Sequence, residues 1–249
     1  MSDTELAEQI ELIELSQAYK FENIPPEDQE ILITFNDKVV LTSQEMLMLS
    51  GLPKSNKSTI NIMLLFSFIT GKSIHGMSVK QTGKALFIDT EMTNLSFYNA
   101  FNRSRKLSGV KNESINYDLF DIYLFRILDQ VEIMRKIEFI LFRKEYKYLF
   151  IDGLLDLVNN FNDVEETKHL IFWLQKITEV FNISIITVLH LSRSNLYSMG
   201  HLGSSMERKS FSSIIIKSDS KKNNKIIDIS PHFMRGDSHF KDISIDLDD

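Results

Sequence analysis

Apolar and polar positions along this chain change period several times, and each change marks a predicted element. Two short alternating runs, residues 31–35 and 38–42, flank an Asn-Asp pair and predict a β-hairpin. Beyond it, short β-branched or apolar runs alternate with longer stretches of helical period. The predicted strands cover residues 45–49, 84–89, 118–125, 146–152 and 183–189, and the predicted helices cover residues 58–70, 93–107, 128–144 and 163–181. This alternation is typical of an α/β fold.

The predicted strands also indicate how the sheet is built. Runs such as "LFID" are apolar on both faces, which is expected of parallel strands covered by helices. Later, residues 211–217 and 225–230 flank a polar turn, which predicts an antiparallel extension of the mostly parallel sheet, and residues 242–249 look like a tail. We therefore expect an N-terminal helical extension over residues 1–28 and one α/β domain over residues 29–249.

Composition and charge narrow the class of protein. The chain has 249 residues, of which 43% are hydrophobic, enough for one sizeable core. The longest apolar run, residues 60–70, is too short to cross a bilayer, the N-terminus resembles no signal peptide, and cysteine is absent. We expect a soluble, cytoplasmic protein with no membrane partner. A net charge of -6 argues against a protein that coats nucleic acid over its whole surface, but leaves room for a local basic groove.

The stretch "SGLPKSNKST", residues 50–59, resembles a phosphate-binding loop of the pattern G-x-x-x-x-G-K-[ST] with one departure, Asn56 at the second glycine. A predicted strand precedes it and a predicted helix follows, as such a loop requires. Asparagine visits the left-handed region more readily than other non-glycine residues, so Asn56 is among the least damaging replacements. The alternative is a polar turn with a capping serine. The predicted nucleotide-binding residues are Gly51, Lys54, Ser55, Asn56, Lys57, Ser58 and Thr59.

Three further strand ends carry polar side chains that suit phosphate chemistry. Asp152 ends an apolar strand and, with the Ser58 hydroxyl, would hold Mg²⁺. Glu91 follows another strand, where its carboxylate would orient a water. His190 ends the next strand, where it would contact the terminal phosphate. Each has an ordinary alternative: a capping carboxylate, an acid favoured by a helix dipole, and a structural histidine.

In combination these motifs resemble the RecA/DnaB-like P-loop ATPase core. "LFIDTEM" looks like the strand that carries the water-activating glutamate, which maps to Glu91, and "YLFIDG" is similar to the Walker B strand, which maps to Asp152. The sensor position maps to His190. The closer resemblance, over roughly residues 30–245, is to the RepA-like helicase-type ATPases of plasmids and mobilizable elements, through "GHLGSSMERKS" and "MRGDSHF".

The resemblance implies partners and roles beyond the loop. Such cores bind ATP with Mg²⁺ between the subunits of a ring or filament, and an arginine from the neighbouring subunit reaches the terminal phosphate. Arg235 matches that catalytic arginine, with Arg193 and Arg208 as alternatives. Family loops that touch DNA follow the sensor strand, which implies that residues 192–210 contact single-stranded DNA. The Gly and Ser content of this stretch predicts a mobile loop. Its candidate residues are Arg193, His201, Arg208 and Lys209.

Two functions of different class follow. The first is a Mg²⁺-dependent ATPase that acts on DNA in replication or mobilisation of a mobile element, either helicase-like or helicase-loading. The second is a regulatory or assembly module that binds ATP and hydrolyses little of it. Asn56 favours the second function, whereas Lys57, Ser58, Glu91 and Asp152 favour the first.

Overall fold

The structure of this chain is a computed structural model that describes residues 29–191, 200–218, 226–235 and 239–248. The helices α1 to α5 span Lys57–Thr70, Asn94–Leu107, Gln130–Arg143, Val164–Phe181 and Gly200–Lys209. The strands β1 to β11 span Ile31–Phe35, Lys38–Thr42, Met46–Gly51, Met77–Val79, Ala85–Asp89, Phe120–Leu124, Tyr148–Asp152, Ser184–His190, Ser212–Ser218, Ile226–Met234 and Ile243–Asp246. The predicted N-terminal extension, residues 1–28, lies outside the described residues.

One large, mainly parallel sheet organises the described part of the chain. Its strand order is β11-β10-β9-β3-β8-β7-β5-β6, with parallel pairing from β9 to β6 and antiparallel pairing of β9, β10 and β11. A small antiparallel sheet, β2-β1-β4, contains the predicted hairpin, and its turn residues Asn36 and Asp37 are both left-handed, as a tight hairpin turn requires. The predicted α/β class with a C-terminal antiparallel extension is confirmed.

The register of the parallel strands sets where polar side chains meet. Gly51 at the end of β3 pairs with His190 at the end of β8, and Asp89 at the end of β5 pairs with Asp152 at the end of β7. Since β8 also pairs with β7, with Asp152 opposite Val188, all four carboxyl ends lie along one edge of the sheet. This edge is where a site in an open α/β sheet is expected.

Helices cover both faces of the sheet. On one face α1 is buried around nearly its whole circumference, because it lies between the sheet, α2 and β4. On the other face α3, α4 and α5 bury one apolar side each. None of the described helices is long and apolar enough to cross a membrane.

Two sequence predictions are wrong in the C-terminal third. The predicted mobile loop after β8 is a helix over its described part, α5, because Leu202 and Met206 form a buried stripe one turn apart that the Gly and Ser content hides. The predicted tail contains β11, in which Ile243 and Ile245 are buried and the residues between and after them are exposed. The short strand β4 was not predicted.

The packing of strand β11 in the core can be tested by mutation. We expect Ile245→Ala to lower the free energy of unfolding by about 2–5 kcal/mol, because the side chain is 1% exposed and its removal leaves a cavity. Urea unfolding measures the change, with Asp242→Asn, at an exposed position two residues before Ser244, as the control. A loss no larger than that of the control would mean that this segment behaves as a tail.

Candidate functional site

The loop between β3 and α1 forms one wall of a cleft of about 530 Å³. This volume is typical of small-molecule sites. The predicted site residues that line it are Lys54, Ser55, Asn56, Lys57, Ser58, Thr59, Glu91, Asp152 and His190. The loop, the start of α1 and the ends of β5, β7 and β8 therefore come together, although they are far apart in the sequence.

The loop backbone has the conformation that its pattern predicts. Asn56 has φ 66° and ψ 26°, in the left-handed region, so the prediction that asparagine can take the place of the second glycine is confirmed for the backbone. Lys54 is left-handed as well, with φ 67°. At Gly51 a Cβ would lie 2.3 Å from the Ile216 carbonyl oxygen, so a larger residue does not fit there.

Lys57 begins α1 and is held inside the loop. Its Nζ donates hydrogen bonds to the carbonyl oxygens of Gly51, at 3.0 Å, and Leu52, at 2.8 Å. Burial lowers the pKa of Lys57 to about 8, while the negative charges of Asp152 and Glu91 oppose that shift. The ammonium is therefore still mainly charged at pH 7, in a part of the cleft that excludes most water.

Ser58 and Asp152 are in direct contact. The Ser58 hydroxyl donates to Asp152 Oδ1 at 3.1 Å, and the Asn61 amide donates to Oδ2 at 3.5 Å. Asp152 is only 2% exposed, and burial, together with the nearby charge of Asp89, raises its pKa to about 7. The two predicted metal ligands thus lie beside each other. The protein does little to stabilise the negative charge of one of them, Asp152.

Glu91 and His190 form a pair across the cleft. His190 Nε2 lies 3.3 Å from Glu91 Oε1. This hydrogen bond is the main reason that the pKa of Glu91 is lowered, so its carboxylate is ionised at neutral pH. Two residues with separately predicted roles are therefore in direct contact.

Asp89, Thr90 and Asp156 support this pair and were not among the predicted site residues. Asp89 is fully buried and accepts hydrogen bonds from the backbone N–H groups of Glu91, at 3.1 Å, and Met92, at 2.6 Å. The Thr90 hydroxyl donates to Asp156 Oδ2 at 2.7 Å. These bonds fix the turn after β5 against the segment after β7. The acidic strand end "FIDTE" was the sequence signal for Asp89 and Thr90, and it does not extend to Asp156.

Arg103 is a cleft residue that the sequence analysis missed entirely. It lies on α2, and its guanidinium donates to Asn56 Oδ1 and, at 3.4 Å, to Thr59 Oγ1. No motif marks this position, because an exposed arginine in an amphipathic helix looks like an ordinary surface residue.

None of the remaining predicted residues that the structure describes lines the cleft. Arg235 contacts Glu45 at 3.3 Å, at the start of β3, which is the opposite edge of the sheet from the loop at its end. The six residues of β3 separate these edges by about 20 Å. His201, Arg208 and Lys209 are exposed on α5. Arg193 lies outside the described residues.

Comparison with models of known protein families finds no match for this chain, and comparison with curated proteins finds no similar sequence.

The buried carboxylate of Asp152 makes stability depend on pH. Its pKa is raised from an unfolded value of about 4 to about 7, so the wild type loses stability as pH rises through that interval. We expect Asp152→Asn to raise the unfolding midpoint at pH 8 by several degrees, with little gain at pH 4. Thermal unfolding measures this, at about 2–4 °C per kcal/mol for a chain of this size.

The matched control for this experiment is Asp118→Asn, which changes an exposed aspartate. The unfolding midpoint of this variant should differ little from that of the wild type, and by a similar amount at both pH values. If the change in unfolding midpoint of Asp152→Asn is also the same at pH 4 and pH 8, burial of the charged Asp152 carboxylate does not limit stability.

Proposed function

We propose that this chain is a Mg²⁺-dependent ATPase with a RecA-like P-loop core, which acts on single-stranded DNA during replication or mobilisation of a mobile element. The observation that carries the proposal is the contact of Ser58 with Asp152 beside Lys57, opposite the Glu91–His190 pair. A loop lysine, a hydroxyl–carboxylate pair and an oriented carboxylate are the groups that phosphoryl transfer to water requires.

The strand order supports the RecA-like assignment. The strand that ends at His190, β8, lies between the loop strand β3 and the strand that ends at Asp152, β7. His190 is therefore next to Gly51 in the sheet, close to where the end of a phosphate chain held by the loop would lie. This position suits a residue that contacts the terminal phosphate.

The residues present fit a magnesium ion that arrives with its nucleotide. Among the described residues no group of three or more histidine, aspartate or glutamate side chains is arranged as a complete metal site. Mg²⁺ bound to a nucleotide commonly needs only one or two protein ligands, with phosphate oxygens and water as the rest. Ser58 and Asp152 would hold it, and a bound ion would stabilise the charged form of a carboxylate that is otherwise costly to bury.

Different groups of this chain would bind the phosphates and activate the water. The N–H groups at the start of α1 and the Lys57 ammonium would bind the phosphates, for which Lys57 exchanges its bonds to the loop carbonyls. Glu91, ionised and held by His190, would orient the attacking water and accept its proton. The bound Mg²⁺ would neutralise charge on the phosphate oxygens.

Oligomerisation and DNA binding enter the proposal through the family resemblance. Arg235 is too far from its own loop to act there, so a catalytic role for it requires a neighbouring subunit in a ring or filament. Arg208 and Lys209, exposed in the last turn of α5, are candidate contacts for DNA phosphates, with His201 at the start of the same helix.

The first test concerns binding. We expect Lys57→Ala to weaken binding of a fluorescent ATP analogue with Mg²⁺ by about 10²-fold or more, because the loop then lacks its buried cation. Fluorescence titration gives the affinity. Lys72→Ala, which removes an exposed lysine beyond the other end of α1, is the control and should bind as the wild type does. Unchanged affinity in Lys57→Ala would mean that the loop is not the site.

The second test separates hydrolysis from binding. Glu91→Gln keeps the size of the side chain but removes its charge, so we expect unchanged affinity and a turnover lower by roughly 10²–10⁴-fold. Phosphate release, measured with and without single-stranded DNA, gives the rate. Glu113→Gln, at an exposed position, is the control. A wild type that binds the analogue without turnover would instead support the regulatory ATP-binding module.

A further inference from the structure

The side chain of Asn56 links the loop to two neighbouring elements, β9 and α2. Its Nδ2 donates to Ser218 Oγ at 3.0 Å, at the end of β9, and its Oδ1 accepts from the Arg103 guanidinium on α2. Asn56 makes no side-chain hydrogen bond to the first turn of α1, although it stands at the N-cap position. The N–H groups at the helix start thus remain available, and the amide instead links the loop to neighbouring elements.

Arg103 is held in the cleft by one end of its side chain. To the residues that the structure describes, it donates two hydrogen bonds, to Asn56 and to Thr59, and both come from one terminal nitrogen. An arginine has five N–H donors in a plane, so the guanidinium keeps donors for a further partner. It lines the same cleft as Lys54 and Lys57. Planar paired donors of this kind suit phosphate oxygens especially well.

We infer that Arg103 is a second cationic ligand for the phosphate chain of the nucleotide, and that Asn56 is the residue that positions it. The inference rests on the proposed function, in that a nucleotide must occupy the cleft. A glycine at position 56 could adopt the left-handed backbone conformation. It would remove the amide group to which Arg103 and Ser218 are hydrogen-bonded. The departure from the common loop pattern therefore adds a binding group, because it gives the loop a side chain that holds an arginine.

The experiment is a double-mutant cycle read out by affinity for the Mg²⁺ complex of a fluorescent ATP analogue. Arg103→Gln should weaken binding by about 10–100-fold, the range for a hydrogen bond to a charged group. Asn56→Gly, which restores the common loop sequence, should weaken binding in the same direction. The double variant should bind no more weakly than Arg103→Gln, because both changes remove one interaction.

Two controls distinguish a direct contact of Arg103 with phosphate from a purely structural role of this residue. Lys106→Gln removes a charge one turn further along α2, at an exposed position outside the cleft, and should bind as the wild type does. The affinity lost in Arg103→Gln should be largest for ATP, smaller for ADP and least for AMP, whereas loss of a structural brace would weaken all three alike. Asn56→Gly keeps a backbone that glycine adopts freely, so it remains informative even if Arg103→Gln is poorly folded.

The outcomes distinguish this inference from the proposed function. A wild type that does not bind the analogue would overturn both. A wild type whose binding requires Lys57 but is unchanged in Arg103→Gln would overturn this inference alone. The same holds if Asn56→Gly binds as tightly as the wild type or more tightly, or if the losses of the two single variants add in the double variant.

Discussion

The hydrogen bond from the Ser58 hydroxyl to the Asp152 carboxylate is the contact on which the cleft depends. It joins the first turn of α1 to the end of β7, and so fixes the loop lysine next to it relative to the strand edge. In the parallel register the ends of β3 and β8 are level with each other, and the ends of β7 and β5 are level two residues short of them. A shift of one residue in any of these pairings would turn the terminal side chain to the other face of the sheet.

The cost of this arrangement is electrostatic. Asp89 and Asp152 are both buried at neighbouring strand ends, and burial raises the pKa of each, to about 6 and about 7. Lys57 is also buried, and its pKa is lowered for the same reason. Groups whose charged forms are this poorly solvated are concentrated at functional sites, because the same burial that weakens the fold strengthens their interaction with an incoming charge.

Much of this could be predicted from the sequence, and the failures have physical causes. Strands buried on both faces, such as β5 and β7, are evident as continuous apolar runs that end in an acid. Met77–Val79 and Ile243–Asp246 are too short for their period to be recognised, and α5 depends on a stripe of only two large apolar side chains. Arg103 could not be found at all, because its importance arises from the packing of α2 against the loop and not from its neighbours in sequence.

The burial of α1 on almost every side has a mechanical consequence. Because α1 is packed between the large sheet, α2 and the small sheet, it cannot tilt without displacing all three. It is therefore the rigid wall of the cleft. By contrast, α2 buries only Phe97 and Ser104 and exposes Leu95 and Tyr98 on its outer surface. Of the two helices that carry cleft residues, α2 is therefore the one that packing constrains less.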